Sequence, residues 1–252
     1  AWQGACRDPD FYNDIIGTRL LAQARFADAV PFLEKVSVAF LNKQNIAPYA
    51  AQRSYAQARW MGKQQVAQPE YLTEDRRAAL PKLQENKKLS YCRDMLNLSR
   101  QYSLMKPSEE RMRKAYELAS MWYQGSWEGD CWWLTQYGVS VAQDSAMVGT
   151  ADFVAKAISL LDESARSTEF KLKENSLYAL AFIRHGEPWF FEGWDDATQQ
   201  YYDISNLKPL PRSRQYKALA ALASFCSANA GKTDPFVSRC DVLRRFREAC
   251  QR

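Results

Sequence analysis

The stretch Phe11–Leu41, FYNDIIGTRLLAQARFADAVPFLEKVSVAFL, decides how the rest of the chain is read. It has the form Asn13-x2-Ile16-Gly17-x2-Leu20, followed by Phe26, by Ala29-x3-Leu33 and by Val36. Steps of three and four residues place side chains on one side of a helix. Two such segments in succession predict a helical hairpin. Gly17 and Ala29 are small at the points where the two helices would cross closely. Leu20, Phe26, Leu33 and Val36 are large enough to fill the space around that crossing.

The same periodicity runs on through the chain. Leu89, Cys92, Met95, Leu96, Ser99 and Tyr102 form one apolar stripe. A second is Phe153, Val154, Ala157, Ile158, Leu161 and Ala165, and a third is Tyr216, Leu219, Ala220, Ala223 and Cys226. The segment DPFVSRCDVLRRFREAC predicts one last helix with Phe236, Val237, Cys240, Leu243, Phe246 and Cys250 inward. Start signals agree. Asp8-Pro9 and Asp234-Pro235 pair an N-cap carboxylate with a first-turn proline, and Ser108 precedes Glu109 and Glu110. Gly125, Gly138, Gly186 and Gly231 lie where stripes end. The short alternation YGVSVAQ is the one tempting strand. The reading is all-α, with roughly ten to twelve helices joined by short links.

A helix count of that size directs attention to repeats. Phe11–Leu41 resembles a tetratricopeptide-repeat (TPR) unit, with Asn13 in place of the usual bulky first residue and Leu41 where a terminal proline is common. Met112-x2-Ala115-x3-Ala119 and Val154-x2-Ala157-x3-Leu161 keep the second-helix spacing, and Lys171–Ile183 suits a following first helix. The resemblance implies a TPR-like right-handed superhelix of antiparallel hairpins. It would form a single repeat domain over 1–252, with a weak subdivision near 125–150. It also implies a non-enzymatic scaffold that binds a peptide or protein on its first-helix faces, near Arg19, Gln23, Arg53 and Tyr116.

Composition narrows the alternatives. The 252 residues include 10 Gly and 10 Pro, too few for the turns of a many-stranded β fold. The net charge of +5 is spread over interspersed acids and bases, as on an ordinary solvated surface. The densest basic run, Arg239, Arg244, Arg245, Arg247 and Arg252, suits a helix C-terminus, and no nucleic-acid partner is expected. No apolar run of about 18 residues occurs, so no transmembrane helix is expected. One histidine and no CxxC pair exclude a Cys/His zinc finger. Six cysteines permit disulfides without requiring them, and Cys226, Cys240 and Cys250 could meet across the last helices. The chain starts AWQGAC rather than with Met, and the expectation is an exported product, periplasmic or at the cell surface, whose targeting segment has been removed.

One motif suggests chemistry. GDCWWL, residues 129–134, looks like the nucleophile segment of papain-like and transglutaminase-like enzymes. His185 could serve Cys131 as a base, and Asp195, Asp196 or Asp203 could orient it. Those families set the histidine and acid on strands, whereas 150–183 reads as helices here. A buried thiol among tryptophans is therefore expected, and no residue is assigned to catalysis. The aromatic groups around Trp122, Trp127, Trp132, Trp133 and around Trp189, Phe190, Phe191, Trp194 read as packing. The alternative is a glycan-binding surface at the cell exterior, with Trp127, Trp133, Trp189 or Trp194 as ring platforms. Neighbouring carboxylates such as Glu109-Glu110 face different ways on a helix and make poor acid/base pairs. No motif predicts a metal or cofactor.

Overall fold

The computed structural model describes residues 8–60, 79–136, 150–183 and 213–250, and the backbone of 194–195 and 200–201. The segment YGVSVAQ falls outside them. The regular secondary structure of the described residues is helical except for one minimal antiparallel pair, in which Trp194 and Asp195 face Tyr201 and Gln200. In chain order the helices are α1 (Pro9–Ala22), α2 (Phe26–Leu33), α3 (Val38–Leu41), α4 (Ala47–Ala51), α5 (Lys87–Leu104), α6 (Glu109–Gln124), α7 (Phe153–Ser164), α8 (Phe170–Phe182), α9 (Arg214–Ala228), α10 (Pro235–Ser238) and α11 (Asp241–Cys250). A 3₁₀ turn covers Trp132–Leu134. The chain forms two compact units. Unit 1 is Ala1–Lys106 with Ser120–Phe153, and unit 2 is Pro107–Ala119 with Val154–Arg252. α6 thus contributes to both.

In unit 1 the α1–α2 hairpin forms as its spacing predicts. The Asp8 carboxylate caps α1 by accepting from the Asp10 amide at 3.0 Å, and Pro9 occupies the first turn. At the other end Arg25 N–H donates to Leu20 at 2.9 Å and Ala24 N–H to Leu21 at 2.8 Å, a Schellman pair. The residue that turns the chain is Ala24, at φ +59°, where glycine is usual. Gly17 faces Leu33 so closely that an added Cβ would lie 2.5 Å from a Leu33 methyl. Ala29 and Leu33 are fully buried beside it.

α5 packs against α2. Its cap, Asn86, accepts from the Lys88 and Leu89 amides and donates to the Leu33 carbonyl at 2.9 Å. The inward face of α5 differs from the expected stripe. Lys88, Tyr91, Cys92 and Met95 are buried, while Leu96 is 38% exposed. The helix is rotated because Lys88 reaches inward to the buried Asp14 at 2.8 Å and to Thr18 at 2.8 Å. Gln44 completes the group, 2.9 Å from the second Asp14 oxygen. Unit 1 also packs the rings of Phe26, Tyr91, Trp122 and Phe153 together, with the closest pair, Trp122 and Phe153, 4.7 Å apart in an edge-on contact.

Unit 2 is built around an apolar cluster of Ala181, Leu219, Leu222, Cys226, Val237, Leu243 and Phe246. These come from α8, α9, α10 and α11. Side-chain caps open α6, α9 and α10, those at Ser108 and Asp234 as predicted. Ser213 accepts from Tyr216 N–H at 3.0 Å, Asp234 from Phe236 N–H at 2.9 Å, and Ser108 from Arg111 N–H at 3.1 Å. The predicted single last helix is instead two, broken at Arg239–Cys240, and Phe236 stands 72% exposed. Glu109 accepts from Ser167 Oγ, Thr168 N and Thr168 Oγ1, which hold its carboxyl down at about 2. The buried Glu174 takes Lys171 at 2.6 Å and the Asp234 amide at 2.7 Å. Cys92, Cys131, Cys226, Cys240 and Cys250 are free thiols.

Candidate functional site

GDCWWL is a helix-end turn. After α6, Ser126 N–H donates to Tyr123 at 3.0 Å, Gly129 N–H to Ser126 at 3.1 Å and Cys131 N–H to Gln124 at 3.0 Å. These bonds satisfy carbonyls that the helix end would leave open. Gly129 lies against the Tyr123 and Gln124 carbonyl oxygens, where a Cβ would collide with backbone. The glycine of the motif is therefore required by this turn, and Cys131 leads from it into the 3₁₀ turn of Trp132–Leu134.

Asp130 anchors the turn. Its carboxylate is buried and meets Arg53 Nε at 3.0 Å and Arg59 Nη1 at 3.4 Å. Tyr49 Oη also donates to it, and to the Asp130 carbonyl at 3.1 Å. The Arg53 guanidinium lies 4.5 Å from the centre of the Tyr49 ring. Burial, followed by the bond to Asp130, pushes the Tyr49 phenol up to about 12. Lys87 donates to the carbonyls of Ala50, Ala51 and Arg53 at 2.8, 3.1 and 2.6 Å. It closes the C-terminal end of α4, and burial lowers its pKa.

Cys131 is buried within this group. Burial pushes its thiol up to about 12 and Asp130 adds to the rise, while Lys87, Arg53 and Arg59 oppose it. Desolvation outweighs three nearby cations, so the sulfur is protonated at neutral pH. His185, Asp196 and Asp203 lie outside the described residues, and of Asp195 only the backbone is described. Beside the turn, a small cleft of about 30 Å³ is lined by Leu41, Ile46, Leu83, Lys87, Lys88 and Trp133 among others. Both lysine ammonium groups at its wall already have partners.

The expected binding residues divide sharply. Arg19 and Gln23 are exposed on the outer face of α1. Tyr12 and Ile16 precede them on that face, 44% and 40% exposed. The positions 12, 16, 19 and 23 follow helical spacing, and the opposite side of α1, with Asp14, Gly17, Thr18 and Leu21, is buried. The sequence reading names Arg19 and Gln23 on this face but not Tyr12 and Ile16. Their spacing to Arg19 was the available signal. Arg53 is instead committed to Asp130, and Tyr116, in unit 2, is half-buried. Trp127 is half-buried. The Trp133 ring, offered above as a platform, is only 5% exposed, because the 3₁₀ turn folds it inward. The side chains of Trp189 and Trp194 lie outside the described residues. Among the described residues no group of acids, cysteines and histidine is arranged to hold a metal, and no helix is long and apolar enough to cross a membrane. Compared with known proteins, the chain matches no family model, no curated protein and no solved structure.

Proposed function

We propose that the chain is a non-enzymatic binding module of the helical-repeat kind, a TPR-like superhelix that recognises a peptide or protein partner. The observation that carries this reading is the outer face of α1. Two large apolar side chains, Tyr12 and Ile16, share it with Arg19 and Gln23, while the hairpin behind it is closed by Gly17 against Leu33. A rigid helix with a mixed apolar and polar outer face suits recognition through side-chain anchors at i, i+4 and i+7. The glycan reading has less support, since of its platform residues Trp133 is buried and Trp127 half-buried, and the side chains of Trp189 and Trp194 lie outside the described residues. A thiol-enzyme reading needs a thiolate, which the burial of Cys131 disfavours.

The test is selection from a displayed random-peptide library on the full chain, followed by fluorescence anisotropy with the enriched peptides. The expected result is a consensus with an apolar anchor and at least tenfold weaker binding to Ile16→Asp and to Arg19→Glu, both with unchanged circular dichroism. Enriched peptides that bind both variants as well as the parent would remove α1 as the docking face. A library that yields no consensus would remove the binding-module reading.

A further inference from the structure

α5 has a second face that unit 1 leaves in solvent. Lys88, Tyr91, Cys92 and Met95 turn inward, so the residues between them turn out. Leu96 is 38% exposed and Leu104 76% exposed. They stand eight positions apart, about 12 Å along the helix, with Arg100 midway at four residues from each. Lys106 follows just past the helix end. Arg100 and Lys106 are both exposed, and neither side chain has an ion-pair or hydrogen-bond partner among the described residues. The stretch 95–106, MLNLSRQYSLMK, contains no carboxylate. The nearest acid on the helix, Asp94, accepts from Tyr55 Oη at 2.7 Å. Cations suit the C-terminal end of a helix, which accounts for Arg100 and Lys106 but not for two leucines held in water beside them.

We infer that this face of α5 docks an acidic amphipathic helix of a partner protein. Apolar side chains spaced along one face of such a helix would cover Leu96 and Leu104, and carboxylates flanking them would meet Arg100 and Lys106. Charge complementarity selects this occupant. A neutral apolar helix would leave two cations desolvated without partners, and a basic helix would be repelled. The surface is separate from the outer face of α1, so it stands or falls independently of the reading proposed for that face.

The experiment uses the full chain and two fluorescein-labelled synthetic peptides of about 18 residues, long enough for roughly 27 Å of helix. Both place leucine at i, i+4 and i+8. One carries glutamate at the flanking positions and the other lysine. Anisotropy titrations are expected to show the acidic peptide binding at least tenfold more tightly than the basic one, with affinity falling as salt is raised from 50 to 500 mM. Leu104→Ser and Arg100→Glu should each weaken the acidic peptide at least tenfold, Arg100→Gln by less, and Ile16→Asp not at all. All three positions are exposed, and thermal melts check that each of the four variants remains folded. Equal binding of the two peptides, no binding of either, or acidic-peptide binding unaffected by Leu104→Ser and Arg100→Glu would overturn the inference.

Discussion

Asp14 in unit 1 and Glu174 in unit 2 are both fully buried carboxylates, and they are neutralised in different ways. In unit 1 Asp14 and Lys88 are both out of water, 2.8 Å apart, with Thr18 and Gln44 taking up the remaining hydrogen-bonding capacity. In unit 2 Glu174 is equally buried, but its partner Lys171 is 55% exposed and shared with Asp234. The first pair carries the full desolvation of two ions and is sustained only by complete hydrogen bonding. The second keeps its cation hydrated, and screening makes it weaker. Unit 1 therefore depends on long-range pairings of buried carboxylates, Asp14 with Lys88 and Asp130 with Arg53, whereas unit 2 depends on its apolar cluster and its caps.

The largest expected effect tests that difference directly. Lys88→Ala should lower stability by about 3–5 kcal/mol in urea unfolding, because it strands the Asp14 carboxylate in the interior. The double replacement Asp14→Leu with Lys88→Met should restore most of that loss. If it does not, the pair has a positional role beyond charge compensation. Gly17→Ala should cost about 1–2 kcal/mol net, the overpacking against Leu33 exceeding the gain in helix propensity of about 1 kcal/mol. An unchanged urea midpoint would mean that α1 and α2 approach less closely than the fold requires.

Lys171→Ala should cost about 1 kcal/mol or less, as expected for a pair with one end in solvent. A loss as large as that of Lys88→Ala would erase the contrast between the two units. The smallest effect concerns Glu109. Its folded pKa lies below the unfolded value, so the stability it contributes is present above about pH 4.5 and is lost as pH falls toward about 2. Glu109→Gln should flatten the acid limb of a stability–pH curve in that window and leave the limb above pH 6 parallel to that of the parent.

Sequence periodicity read α9 better than α5. In α9, Leu219 and Cys226 lie inside as the stripe predicts. In α5, Leu96 was assigned to the core and lies outside, because a lysine took the interior position. A rule that sorts residues by polarity places Lys88 in solvent. The reason it turns inward is Asp14, 74 positions away, and no local pattern contains that pairing. The same holds for GDCWWL. Its chemistry-bearing residue types resemble a nucleophile segment, yet Gly129 and Cys131 are spent closing a helix end, and Asp130 is spent on Tyr49, Arg53 and Arg59. Arg53 was offered as a binding residue for the same reason, since its partner comes from a distant loop.

The sequence by itself determined the helical class, the α1–α2 hairpin with its small residue at the crossing, and the caps at Asp8, Ser108 and Asp234. All of these are local, set by spacing along one helix or by a side chain bonding its own backbone a few residues away. Only the tertiary structure decided which polar groups are buried, which face of α5 is inward, and which side chains remain free to meet a partner. Those outcomes depend on desolvation offset by specific contacts between residues far apart in the chain, and hydrophobic periodicity carries no record of them.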